Sequence, residues 1–299
     1  MTEFDTVFPV PSTGVTVGGL SSERPEWWTD DGIKNTWQDT YTARRRVFPD
    51  GQCEVTVSKE KFFIGPGQTP KSRAARGESE NREASEEFAG RRARKTVRHR
   101  CKAIGADRLV TLTYRENMMC RVQALKDFDK FRRRMGRHNA FHYVAVMEQQ
   151  ARGAIHFHIA VKGRQCYALL RSIWQSVLGL DEAGRQQGQV NVRDPHKFGF
   201  NKGGNHKLAS YIAKYCGKQM DVRDLNEKRY FCSRGIVVPD VETWRLPGVT
   251  NMLDACKAAY DATTGHSLRG CQSWCNNSLG FVYIATEPGF VPIEDICPF

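Results

Sequence analysis

The chain has 299 residues, 40% hydrophobic and 26% charged, with a formal net charge of +12. That length is enough for one large domain or two modest ones with a real core. The positive surplus favours a polyanionic partner, either nucleic acid or an anionic membrane, and no apolar run approaches the roughly 18 residues of a spanning helix. The first residues, Met1-Thr2-Glu3-Phe4-Asp5, lack the basic-then-apolar pattern of a signal peptide. The expected compartment is the cytoplasm, with no membrane partner, so nucleic acid leads. Ten scattered cysteines read as free thiols there. Cys271 and Cys275 have a spacing that zinc accepts, but no second pair accompanies them.

Residues 1–60 give few signals. Pro9, Pro11, Gly14, Gly18 and Gly19 predict an irregular start. Trp27, Trp28 and Trp37 are expected to pack an N-terminal flap on the core, and Cys53–Val57 alternates like a short strand. Residues 65–72 nearly match a phosphate-cradling loop, but Pro70 stands where glycine is needed. Proline offers no N–H and fixes φ, so the stretch reads as a linker.

Residues 73–104 read as a helix, acidic first and basic later. Arg91 to Lys102 holds seven Lys or Arg and no acid. Arg91, Arg92, Arg94, Lys95, Arg98 and Arg100 are the candidate phosphate contacts of this run. Leu109–Tyr114 is a strand by composition, and Ala124–Met135 an amphipathic helix with Leu125, Phe128 and Phe131 as its stripe. Strands follow over Phe141–Glu148 and Ala154–Val161, a helix over Tyr167–Leu178, and a strand over Gln189–Val192. A helix is predicted over Lys207–Met220 and a last strand within Arg229–Val238. The tail carries a helix, Asn251–Ala262, and a strand, Phe281–Ile284. This irregular alternation predicts an α+β fold: a central antiparallel sheet flanked by helices, in residues 73–240. Segments 1–72 and 241–299 flank it without an assigned role.

On Ala154–Val161 the odd positions Ile155, Phe157, Ile159 and Val161 make an apolar face. The even positions put His156 and His158 beside Ala154 and Ala160, which leaves room on that face. Gly153 suits the left-handed last position of a three-residue hairpin loop, Ala151-Arg152-Gly153. That loop pairs Gln150 with Ala154, Glu148 with His156 and Val146 with His158. Cross-strand Cβ atoms are about 4.5–5.5 Å apart, so Glu148 joins both histidines. His142 faces the same side as a surface residue. Two imidazoles and a carboxylate suit a divalent cation acting as a Lewis acid: zinc by ligand type, Mg²⁺ or Mn²⁺ if the substrate is a phosphodiester.

On Lys207–Met220, Ala209, Ile212, Ala213, Cys216 and Met220 share one face. Tyr211, Lys214, Tyr215 and Lys218 form a separate stripe, with Tyr-x-x-Lys twice in register. A nearby ammonium favours a phenolate or binds a phosphate.

These residues resemble the HUH endonucleases, in particular the Rep initiators of rolling-circle replication. Leu109–Tyr114 looks like their first motif, Gly153–His158 like the His-hydrophobe-His motif, and Glu148 sits where related Reps carry an acidic ligand. Tyr211–Lys218 looks like the two-tyrosine third motif of phage gene A proteins. The likeness covers roughly residues 105–235. It implies an RRM-like antiparallel sheet with the histidines on its middle strand and helices behind. It also implies nicking of single-stranded DNA by Tyr211 or Tyr215, with Lys214 and Lys218 assisting and a metal on His156, His158 and Glu148. A 5′-phosphotyrosine link and a primer 3′-OH would result. The implied partners are single-stranded or supercoiled origin DNA and a host helicase and polymerase, in a bacterial host cytoplasm. A transposase or relaxase of the same chemistry, and a non-catalytic DNA-binding protein with a structural metal, are the competing readings.

Overall fold

Two antiparallel five-stranded sheets organise the chain, and one long helix runs between them. The computed structural model describes residues 28–29, 32–33, 36–65, 78–138, 140–193, 204–216, 227–266, 268 and 271–287. The short strands β1 (Trp28–Thr29) and β2 (Gly32–Ile33) pair only with each other. A long hairpin follows, β3 (Thr36–Val47) and β4 (Cys53–Ile64), and then α1 (Arg82–Ala103). The middle of the chain forms β5 (Arg108–Tyr114), α2 (Arg121–His138), β6 (Tyr143–Gln149) and β7 (Ile155–Val161). It continues through α3 (Tyr167–Leu178), β8 (Gly188–Arg193), α4 (Gly204–Tyr215) and β9 (Phe231–Cys232). The end supplies β10 (Glu242–Leu246), α5 (Met252–Asp261), β11 (Gln272–Asn276) and β12 (Phe281–Ala285).

The first sheet has the order β8-β5-β7-β6-β9, every pairing antiparallel, with the histidine strand β7 at its centre. This is the expected α+β class. The strand anticipated within 229–238 shrinks to the two residues of β9. Helix α1 starts where Asn81 caps it, its side-chain oxygen accepting from the Ala84 N–H at 2.9 Å.

Both faces of this sheet carry helices. Leu112, Phe157 and Ile159 bury against Phe128 and Phe131 of α2 and Trp174 of α3. Phe128 stacks on Phe157, ring centroids 4.6 Å apart. Burying side chains of this size stabilises by about 1.5–3 kcal/mol each. Sequence spacing predicts a roomy opposite face. Instead Val144, Val146 and Ala160 pack under α1 and α4. Ala93, Val97 and Cys101 recur every four residues on α1, so one stripe of that helix meets Leu208 and Ile212 of α4 over the sheet. The small side chain of Ala160 admits the helices rather than leaving a vacancy.

The second sheet, β10-β3-β4-β12-β11, draws strands from both flanking segments. Strands β3, β10 and β11 have no legible signal in the sequence. Helix α5 covers one face of this sheet through Ala255 and Ala259. Trp37 does not pack on the core as anticipated. It is 60% exposed near the hairpin tip and meets Phe63 edge-on, because its side of the tip has no neighbouring strand beyond β4. The side chains of Trp27 and Trp28, and the loop-like stretch from residue 66 to 72, lie outside the described residues.

One buried ionic cluster joins helix α1 to strand β4. The Glu54 carboxylate, 5% exposed, accepts from Lys102 Nζ at 2.9 Å and from the Arg98 guanidinium, with His99 Nε2 at 3.6 Å. Burial alone would raise the Glu54 carboxyl. The His99 hydrogen bond and the Lys102 and Arg98 charges outweigh it and hold the group well below the ordinary carboxylate range.

Candidate active site

The β6–β7 hairpin has the register that its turn dictates. Glu148 lies opposite His156, Val146 opposite His158, and the Gln150 N–H donates to the Ala154 carbonyl at 2.8 Å. Gly153 adopts φ +87°, in the left-handed region, and a Cβ there would lie 2.9 Å from Met119 Cε. Gly153→Val is therefore expected to lower stability by roughly 1–2 kcal/mol through backbone strain, measurable by urea denaturation. An unchanged midpoint would show that the turn tolerates the branched residue.

Strand β5 adds to this face from the other side of β7. Thr113 pairs with His156 and Thr111 with His158, and beyond them β8 places Gln189 and Asn191 in the same two rows. His158 Nε2 donates to Glu148 Oε2 at 2.8 Å. Its Nδ1 then accepts from the Thr111 hydroxyl at 3.3 Å. The Gln150 side-chain amide donates to His156 Nδ1 at 3.4 Å. Such contacts fix which ring nitrogen each histidine presents. Burial first, then the His158 and Arg152 charges, depress the His156 pKa, while Glu148 opposes them. The ring is held in the neutral form that ligates metals.

Two imidazoles and a carboxylate fit a divalent cation by chemical type. Their positions do not yet surround one point. Glu148 and His158 bond to each other, Gln150 holds His156, and no cluster of three His, Cys, Asp or Glu side chains among the described residues is gathered for a metal. That statement covers Cys271 and Cys275 as well. The nine described cysteines are free thiols.

Helix α4 lies over β6 and β7 and brings both tyrosines to the histidines. The Tyr215 ring stacks on His158, centroids 4.6 Å apart and planes 17° apart. Tyr211 meets His158 edge-on at 6.1 Å and Tyr215 at 5.2 Å. The two tyrosines are not equivalent. Helical spacing puts Tyr215 on the polar stripe, but it is 8% exposed and packs with Leu208 and Ile212, whereas Tyr211 is half-buried. The flat imidazole of His158 gives the Tyr215 ring a surface to stack on, which draws it under the helix. Burial, a hydrogen bond with Tyr211 and the Glu148 charge all raise the Tyr215 phenol, and Arg193 opposes them. Lys214 is exposed on α4, while Lys218 and the predicted extension of the helix to Met220 lie outside the described residues.

Of the basic run, Arg91, Arg92, Arg94 and Lys95 are exposed on α1. Arg98 turns inward to Glu54, and Arg100 donates to Cys232 Sγ and lies over the Tyr230 ring. Those two act as joints of the fold, because α1 is held between two sheets and only its outer side meets solvent. His142 is exposed, as expected. Sequence reasoning does not single out Thr111, Gln150 or Arg193. Thr111 has the right strand parity, but only the β5–β7 register places it beside His158.

A histidine pair on the central strand of an antiparallel sheet, with two tyrosines stacked over it, is the arrangement to be identified. Residues 107–220 match the family model of the replication-associated protein ORF2, a span that contains all three motif-like stretches. The match fits a rolling-circle replication initiator. No curated protein and no solved structure matches the chain.

Proposed function

We propose that this protein is a site-specific single-stranded DNA nickase and strand transferase that initiates rolling-circle replication. The observation carrying this reading is the convergence of Tyr211 and Tyr215 from α4 on His158 of β7, with Glu148 hydrogen-bonded to that same histidine. The family match supplies the replication context.

Tyr211 is the more accessible phenol and makes the first attack. Its oxygen bonds to the scissile phosphorus as the bond to the 3′-oxygen breaks, leaving a 5′-phosphotyrosine and a free 3′-OH. Tyr215, one helical turn along the same helix, takes the second cleavage after turning out from beneath His158. His156, His158 and Glu148 would hold a Mg²⁺ or Mn²⁺ ion, which polarises the phosphate and stabilises the charge developing on it. Thr111 and Gln150 orient the two imidazoles for that role. Lys214, exposed on α4, is available to contact a phosphate, and Lys218 is proposed to act with it. Arg91, Arg92, Arg94 and Lys95 supply further phosphate contacts along α1. Origin DNA and a host helicase and polymerase would be the partners.

Incubation with single-stranded origin oligonucleotides and Mn²⁺ tests the reading. A denaturation-resistant protein–DNA adduct is expected, and chelation with EDTA should abolish it. No adduct, or an adduct that survives Tyr211→Phe/Tyr215→Phe, would overturn the proposal.

A further inference from the structure

The second sheet has a face that the nicking chemistry does not use. Strand pairing sets what lies on it. Thr243, Arg44, Thr56, Tyr283 and Trp274 form one row across the five strands. Arg245, Thr42, Ser58, Phe281 and Asn276 form the next. Alternation puts both rows opposite α5, whose side of the sheet holds Ala43, Val57 and Ile284. Helix α1 meets this face only at the Glu54 end, where Arg98 bonds Glu54 and lies over the Tyr283 ring.

Away from that end the rows are open and carry two kinds of group. The first is aromatic. Trp274 is 53% exposed, and its ring is 5.5 Å from the ring of half-buried Phe281. A large exposed aromatic pair on a sheet buries nothing in the isolated chain, but each ring offers a face to a planar partner. The second is cationic. Arg245 stacks 4.3 Å over Phe62 and forms no ion pair with a described residue. Arg44 shares Glu60 at 2.7 Å. Lys95 of α1 is close enough to this edge that, after burial, the charges of Arg44, Arg46 and Arg98 depress its pKa, with Glu54 opposing. The tertiary structure thus brings cations of β3 and α1 together in spite of their repulsion, and a polyanion relieves that repulsion.

We infer that this open face of the second sheet, through Trp274, Phe281, Arg245, Arg44 and Lys95, is a binding surface for single-stranded DNA separate from the tyrosine–histidine site. Aromatic rings stack only on bases that are not already stacked in a duplex, which selects the single strand. The arginines and the lysine meet its phosphates. The exposed Arg91, Arg92 and Arg94 of α1 extend the cationic track beyond Lys95. The inference stands on this sheet alone and holds whether or not the protein nicks DNA.

The test uses the full chain with Trp274→Ala, Arg245→Ala and Lys95→Ala, alone and combined. All three positions are exposed or half-buried, and unchanged circular dichroism establishes folding. Fluorescence anisotropy with a mixed-sequence single strand of about 30 nucleotides reads the affinity. Trp274→Ala is expected to weaken binding about 5–100-fold, the range that loss of one stacked base gives. Arg245→Ala and Lys95→Ala should each lower the salt slope by about 0.7. Wild-type affinity in the triple variant would overturn the inference, as would equal losses on single-stranded and duplex DNA. Adduct formation on a short origin oligonucleotide by the same triple variant reports separately on nicking, so the two proposals fail independently.

Discussion

Tyr211→Phe is expected to abolish the first covalent adduct, a loss of at least about 10³-fold, as when an enzyme's nucleophile is removed. Tyr215→Phe should leave that first adduct largely intact and block the transfer that follows. The difference comes from their surroundings. Tyr211 is half-buried at the edge of the site, whereas Tyr215 is 8% exposed with its ring against His158. Removing the Tyr215 hydroxyl keeps the stacked ring, so the histidine stays placed. Mass spectrometry of the peptide linked to a suicide oligonucleotide measures the outcome. First-round labelling at residue 215 in the wild-type protein would reverse the assigned order.

Glu54→Ala should destabilise the fold by roughly 3–5 kcal/mol, because it leaves the fully buried Lys102 ammonium without its counter-charge. On a domain this large each kcal/mol moves Tm by about 2–4 °C, so a drop on the order of 10 °C is expected. The double variant Glu54→Leu/Lys102→Met should recover much of it, since an apolar pair of similar volume replaces the ion pair. Calorimetry of the three proteins tests this, and a single variant as stable as wild type would show that the cluster contributes little. The pH dependence has a definite sign. The folded Glu54 carboxyl lies below its ordinary value of 4.5. Its contribution is complete above that value and is lost as the pH falls through the lower folded pKa. Wild type should lose stability more steeply in acid than the double variant.

The local features of the site are legible in the sequence because they obey short-range rules. Alternation on β7 separates Phe157 and Ile159 from His156 and His158, and one glycine at the turn sets Glu148 across from His156. Helix α3 needs only its own apolar spacing, and its predicted span, Tyr167–Leu178, is the observed one. The tyrosine helix is legible as a helix but not in its orientation. Tyr215 reads as polar by spacing and turns out buried, since its burial depends on His158, a residue 57 positions earlier in the chain.

Long-range pairing decided the rest. Strands β3, β10 and β11 contain Arg44, Arg45 and Arg46, Arg245, and Gln272 and Asn276, so their own composition argues against strands. They form because β4 and β12 give them partners and α5 gives them one apolar face. The basic run Arg91–Lys102 is visible as charge. Its division into an outer part facing solvent and an inner part holding Glu54 comes only from the packing of α1 between two sheets. The sequence by itself determined the hairpin register and the types of chemical group at the site, because both follow from neighbours a few residues apart. The tertiary structure alone decided which tyrosine is accessible and which cations reach solvent. Burial is a property of surfaces that meet across the chain, and no local period encodes it.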